Sequence, residues 1–191
     1  MRTNRPTDTR GFSLVEMMFV VTLIGIVGAM AVGMIGQSVP AFKGDGAMRV
    51  IMANLNRGRE LAITQRRYMR VVFTNPNKVE IIREEVLPAN TTTVISTMYI
   101  EGGMAYSLVV GVADTPDAFG KAAAIDFNGA ASVKFNPDGM LVDTANSNNI
   151  KNGTVFLALL TNKMSVRAVT VLGSTGRVRG YKYDGARWKL V

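Results

Sequence analysis

The chain has 191 residues, 48% of them hydrophobic and 19% charged, enough for one domain with a buried core. It contains no cysteine and no histidine, which excludes disulfides, thiolate metal sites and serine–histidine or cysteine–histidine catalysis and disfavours an enzyme. The formal charge of +8 is unevenly placed, with a mildly acidic middle, Val71–Asn162, between basic segments at Lys43–Arg70 and Lys163–Val191.

Residues 1–11 are polar and carry Arg2, Arg5 and Arg10. Met17–Ile35 then runs for 19 residues without a charge. As a helix this stretch spans roughly 28 Å, close to a bilayer's hydrocarbon thickness. The preceding arginines favour a cytoplasmic N-terminus with the remainder outside. An ordinary secretory signal would place a small-residue cleavage site after the apolar stretch, whereas here the specific sequence is the junction before it, Gly11-Phe12-Ser13-Leu14-Val15-Glu16. A carboxylate within an apolar run costs about 2.5–3.5 kcal/mol on insertion scales and is tolerated when partnered. Glu16 therefore either has a partner or sits at headgroup level, where a helix N-terminus accepts it. Gly25, Ala29 and Gly33 form a small-residue stripe, read either as a close-approach surface between helices or as general glycine enrichment.

Pro40, Lys43, Gly44, Asp45 and Gly46 predict a break or kink, with Asp45 capping a second helix over about Ala47–Arg67. Met48, Ile51, Met52, Leu55 and Ala62 share its apolar face, and Gly58 on that side permits close backbone approach. Strands are predicted at Met69–Thr74 and Val79–Arg83, flanking Asn75-Pro76-Asn77-Lys78, then at Val94–Ile100, Tyr106–Val112, Ala123–Phe127, Ser132–Asn136, Val155–Leu160, Ser165–Leu172 and Arg177–Tyr183. Turn chemistry separates them at Glu101-Gly102-Gly103, Thr115-Pro116-Asp117, Asn128-Gly129 and Pro137-Asp138-Gly139. The expected architecture is α+β: a long N-terminal helix, half membrane and half amphipathic, packed on an antiparallel β-sheet domain. The expected divisions are 1–11, 12–39 as a transmembrane helix, and 40–191 as a globular domain.

Chemistry concentrates in the tail, where Arg177, Arg179, Lys182, Arg187 and Lys189 alternate with Tyr181, Tyr183 and Trp188. Guanidinium groups contact phosphates and aromatic rings stack on bases, so DNA is one candidate partner. A solvated basic sheet edge is the other reading. Asn136-Pro137-Asp138-Gly139 with Asp143 offers clustered oxygens but lacks a bidentate glutamate, and reads as a turn. No metal or cofactor is expected.

The junction Gly11-Phe12-Ser13-Leu14-Val15-Glu16 resembles the prepilin peptidase site of type IV pilins and type II secretion pseudopilins. Leu55–Ile63, Val71-Val72-Phe73, Phe135–Gly139 and Thr175–Arg179, in that order behind the leader, resemble the GspH/FimT branch of pseudopilins. The resemblance implies cleavage after Gly11, N-methylation of Phe12, and pairing of Glu16 with the amino terminus of a neighbouring subunit. It further implies a single-pass inner-membrane protein with a periplasmic C-terminal domain. Its partners would be other pilins or pseudopilins, prepilin peptidase and an inner-membrane assembly platform. The Gly-Arg-x-Arg element at Gly176–Arg179 is similar to the tail motif of FimT-type minor pilins that bind DNA during natural transformation.

Overall fold

The computed structural model describes residues 12–87, 91–130 and 132–191, and within 31–37 the helical backbone alone. The leader, with Gly11, lies outside the described residues. The chain divides into two compact units, one ending at Ser38 and one running from Val39 to Val191.

Helix α1 spans Leu14–Gln65 without interruption, with Pro40 inside it. The break expected at Pro40–Gly46 is therefore absent, and there is no separately capped second helix. A proline removes one helical donor and crowds one carbonyl, and this loss is outweighed by contacts made just beyond it. Asp45 is not a cap. Its carboxylate accepts a hydrogen bond at 2.6 Å from Nε of Arg167, whose Nη2 donates to the Ala41 carbonyl at 2.9 Å. Across Val39–Gln65 the buried positions Gly44, Ala47, Met48, Ile51, Asn54, Leu55, Gly58 and Ala62 recur at intervals of three or four residues, the period of one helix face. The helix ends where Arg66 adopts φ 50° and the Arg67 amide donates to the Ala62 carbonyl at 3.2 Å, a left-handed C-terminal closure.

Eleven antiparallel strands are described after the helix: β1 (Met69–Thr74), β2 (Lys78–Glu84), β3 (Thr92–Tyr99), β4 (Ala105–Tyr106), β5 (Ile125–Asp126), β6 (Ser132–Phe135), β7 (Leu141–Val142), β8 (Gly153–Ala158), β9 (Arg167–Leu172), β10 (Arg177–Tyr183) and β11 (Trp188–Leu190). They form one sheet ordered β3-β2-β1-β6-β7 and a second ordered β11-β10-β9-β8-β4, with β5 also on β8. In β1 the inward residues are Met69, Val71 and Phe73, every second position as the pleat requires. They join Met48, Ile51 and Leu55 of α1 and Val155, Leu157, Val169 and Val171 of the second sheet in one core. Gly58 lies against the first sheet, where a Cβ would stand 3.1 Å from Val71.

The strand expected at Tyr106–Val112 stops at Tyr106. The segment 107–124 instead covers the face of the second sheet turned away from the helix, and β8 is consequently buried along its whole length. Leu108, Val109 and Val112 obtain their burial from side-chain packing on that face rather than from a strand ladder.

Candidate assembly helix and basic C-terminal hairpin

The first turn of α1 carries Glu16, and the Met17 amide closes onto the Ser13 carbonyl at 3.1 Å. Every residue from Phe12 to Met30 is exposed. In this stretch Thr22 hides its hydroxyl by donating to the Met18 carbonyl at 2.8 Å, as apolar surroundings require. Glu16 has no ion-pair partner among the described residues. A helix apolar around its whole circumference is stable only when lipid or other helices cover it. Among the described residues no helix is long and apolar enough to cross a membrane. The apolar run Met17–Ile35 continues into 31–37, whose side chains lie outside the description.

The basic tail forms the β10–β11 hairpin, with Tyr181, Lys182 and Tyr183 paired to Leu190, Lys189 and Trp188. Its aromatic rings point inward. Tyr181 and Tyr183 are buried, and Trp188 packs on Tyr183 at 5.2 Å between centroids and on Phe156 at 6.2 Å. The Trp188 indole N–H donates to the Ala113 carbonyl at 3.0 Å, holding the 107–124 segment. Two of the three rings expected to stack on bases, Tyr181 and Tyr183, are thus buried, and Trp188 is half-buried against them.

Three of the tail cations are occupied. Arg179 contacts Asp117 at 2.7 Å, while Lys189 and Arg187 meet Asp184 at 2.9 and 3.8 Å. Asp117 also accepts from the Thr170 hydroxyl at 2.6 Å. Burial pushes the Asp117 carboxyl up, but the hydrogen bonds from Thr170 and Tyr181 and the Arg179 guanidinium outweigh it and hold the group below the usual carboxylate range. Asp184 is held lower still by the backbone amide of Arg187, then by Lys189 and the amide of Ala186. Arg177 and Lys182 make no ion pair among the described residues.

Residues 7–32 match the prokaryotic N-terminal methylation motif. This is a type IV pilin-like signal, and it supports a type IV pilin-like protein. A motif of this kind implies assembly with other pilins, processing by prepilin peptidase and anchoring to the membrane through the N-terminal helix. Its family is structural rather than enzymatic. No curated protein and no solved structure matches the chain at a significant level.

Three of the scattered segments that carried the family resemblance converge at one place. Arg59 Nε donates to the Gly139 carbonyl at 3.1 Å, and a Cβ on Gly176 would overlap both that carbonyl and the Arg59 side chain. Gly176, at φ 64°, is required both by its backbone conformation and by this approach. The Asn136 carboxamide oxygen accepts from the amides of Asp138 and Met140 at 3.1 and 2.9 Å, which forms the neighbouring turn.

The sequence did not single out Arg167. An arginine in a strand otherwise free of charge, Arg167–Leu172, is the available signal, because a buried guanidinium demands acceptors. Asp117, in Thr115-Pro116-Asp117, carries only a turn signal in the sequence. The alternation that puts Arg179 and Tyr181 on one face was visible, but not the loop that would supply their carboxylate.

Proposed function

We propose that the chain is a minor pilin or pseudopilin of the GspH/FimT type, a subunit of a type IV pilus or type II secretion pseudopilus. It is inserted in the inner membrane with its C-terminal domain periplasmic, cleaved after Gly11, N-methylated on Phe12 and built into the filament through its N-terminal helix. The observation that carries this reading is the apolar helix stretch from Phe12 to Met30, exposed along its length, whose one charged residue, Glu16 in the first turn, has no ion-pair partner among the described residues. Assembly supplies both the apolar cover and the positive partner that the carboxylate lacks. Contact of the tail with DNA has less support, since Tyr181 and Tyr183 are buried, Trp188 packs against Tyr183 and Phe156, and Arg179, Arg187 and Lys189 are engaged by aspartates.

The test is Glu16→Ala in the native host, with mass spectrometry of the N-terminus and immunoblotting of sheared filaments. The mature chain should begin at methylated Phe12 in both forms, with incorporation of the variant sharply reduced. Normal incorporation would make Glu16 an interfacial passenger, and a mature start beyond Ile35 would sink the pilin reading.

A further inference from the structure

The 39–191 unit exposes apolar residues at the end where α1 enters it, and they come from three separate segments. Phe42 on the helix is 71% exposed, Val110 in the loop after β4 is 93% exposed, and Leu160 in the turn after β8 is 81% exposed. Direct contacts tie these segments together. A Cβ on Gly44 would meet the Ser165 carbonyl at 2.5 Å, and one on Gly111 would meet Lys163 Nζ at 3.2 Å. Arg167 joins Ala41 on the helix to the Met164 carbonyl. Met164, itself nearly half exposed, extends the apolar surface, while exposed Lys43 and Lys163 add positive charge to it. Glu101, exposed in the turn that packs on Lys43, offsets part of that charge.

Leu160 adds a second observation. It holds φ 51°, a left-handed conformation that suits glycine or asparagine, and its side chain gains almost no burial in return. A bulky apolar residue kept in a strained turn and displayed to solvent is explained by a contact outside the chain.

We propose that this end of the unit rests on the surface of an anionic bilayer before assembly. Phe42, Val110, Leu160 and Met164 dip among the acyl boundaries, and Lys43 and Lys163 lie at the phosphates. The inference rests on the membrane-anchored reading above. Chain continuity favours lipid as the occupant, because Phe42 follows the last residue of the uncharged run, Ile35, by only seven positions. Seven helical residues span about 10 Å, the depth of a headgroup layer. Apolar tips flanked by lysines are also a pattern that anionic interfaces bind.

The experiment uses the full chain in nanodiscs of phosphatidylethanolamine and phosphatidylglycerol carrying a gadolinium-labelled headgroup lipid. It reads paramagnetic relaxation at the methyl groups of Met164, Val110 and Leu87. Leu87, 83% exposed, is the control, because its turn neighbours the C-terminal end of α1 through the Arg83–Gln65 hydrogen bond, about 36 Å along the helix from Ala41. Met164 and Val110 should relax strongly and Leu87 should not, and replacing the lipids by phosphatidylcholine should weaken the effect. Leu160→Gly should lower the docked-to-undocked ratio about tenfold, as loss of one leucine-sized contact does. Its thermal midpoint should hold or rise, because glycine relieves the left-handed strain, so a lost signal cannot be blamed on misfolding. A chain that inserts but relaxes no more at Met164 than at Leu87 overturns the docking, as does a Leu160→Gly variant that docks normally. Enhancement that vanishes when each disc holds one chain would assign the face to a second subunit and also overturn the proposal. A chain that fails to enter the discs overturns the anchored reading itself.

Discussion

Removing the carboxylate of Asp45 should be the most damaging single change to the join between helix and sheet. The Arg167 side chain is wholly buried, and its balancing charge is Asp45 at 2.6 Å, whose own side chain is 29% exposed. Taking away one partner of a buried pair costs about 3–5 kcal/mol, because the remaining charge stays in a medium that cannot solvate it. Arg167 also donates to the carbonyls of Met164, Val166 and Ala41, which survive in Asp45→Ala. Asp45 is moreover partly hydrated. The expected loss therefore lies near the lower end, about 2–3 kcal/mol. Arg167→Met removes the charge but strips a donor from three carbonyls, for about 1–3 kcal/mol. The double variant should cost clearly less than the two singles added, with a coupling of about 2 kcal/mol. Urea unfolding of the full chain in non-ionic micelles can be followed by the fluorescence of Trp188, the single tryptophan. A cost for Asp45→Ala below about 0.5 kcal/mol, or additivity of the singles, would show that the carboxylate is not what balances the buried cation.

Two glycines two positions apart in α1 should respond with opposite sign. Gly46→Ala meets nothing within 4 Å and should stabilise by up to about 1 kcal/mol through helix propensity alone. Gly44→Ala drives a Cβ to 2.5 Å from the Ser165 backbone carbonyl and should lose about 1–3 kcal/mol despite the same propensity gain, both read by the same urea titration. Asp117→Asn should cost about 1–2 kcal/mol at neutral pH by weakening its charge-assisted bonds to Arg179 and Thr170. The folded carboxyl titrates below its unfolded value, so its contribution is fully present above the unfolded value, about 3.9, and is lost as the pH falls through the folded one. Wild type and variant should accordingly converge in acid, and a difference that persists unchanged to pH 2 would refute the assignment.

Local pattern carried much of the fold. The bounds that the sequence predicts for β1 and β10, Met69–Thr74 and Arg177–Tyr183, coincide with those observed, because alternation between turn signals is a local property of the chain. The apolar face of the helix was legible for the same reason, with Met48, Ile51, Leu55 and Ala62 all buried. What escaped is non-local. Pro40 and the glycines after it look like a break when only the helix is considered. They cease to be one when Arg167, 122 residues from its partner Asp45, clasps the same turn.

The tail shows where such reading reaches its physical limit. Arg179, Tyr181, Tyr183 and Trp188 advertise cations beside rings, and composition assigns them equally to a phosphate backbone or to a packed sheet. The choice depends on which face of β10 is covered. That is decided by the 107–124 segment, which brings Asp117 to Arg179 and the Ala113 carbonyl to Trp188. Once a carboxylate and a carbonyl from one loop meet an arginine and an indole from the hairpin, these groups are spent on closing the domain. The surface left for partners is then set by residues with no internal use. At the helix N-terminus that is Glu16, exposed and without an ion pair among the described residues; at the entry of the 39–191 unit it is Leu160, held in strain and facing out. A side chain that costs the fold something and gains nothing within it is the stronger indicator of an external contact, and by that criterion both point to the membrane-anchored end of the chain rather than to its basic tail.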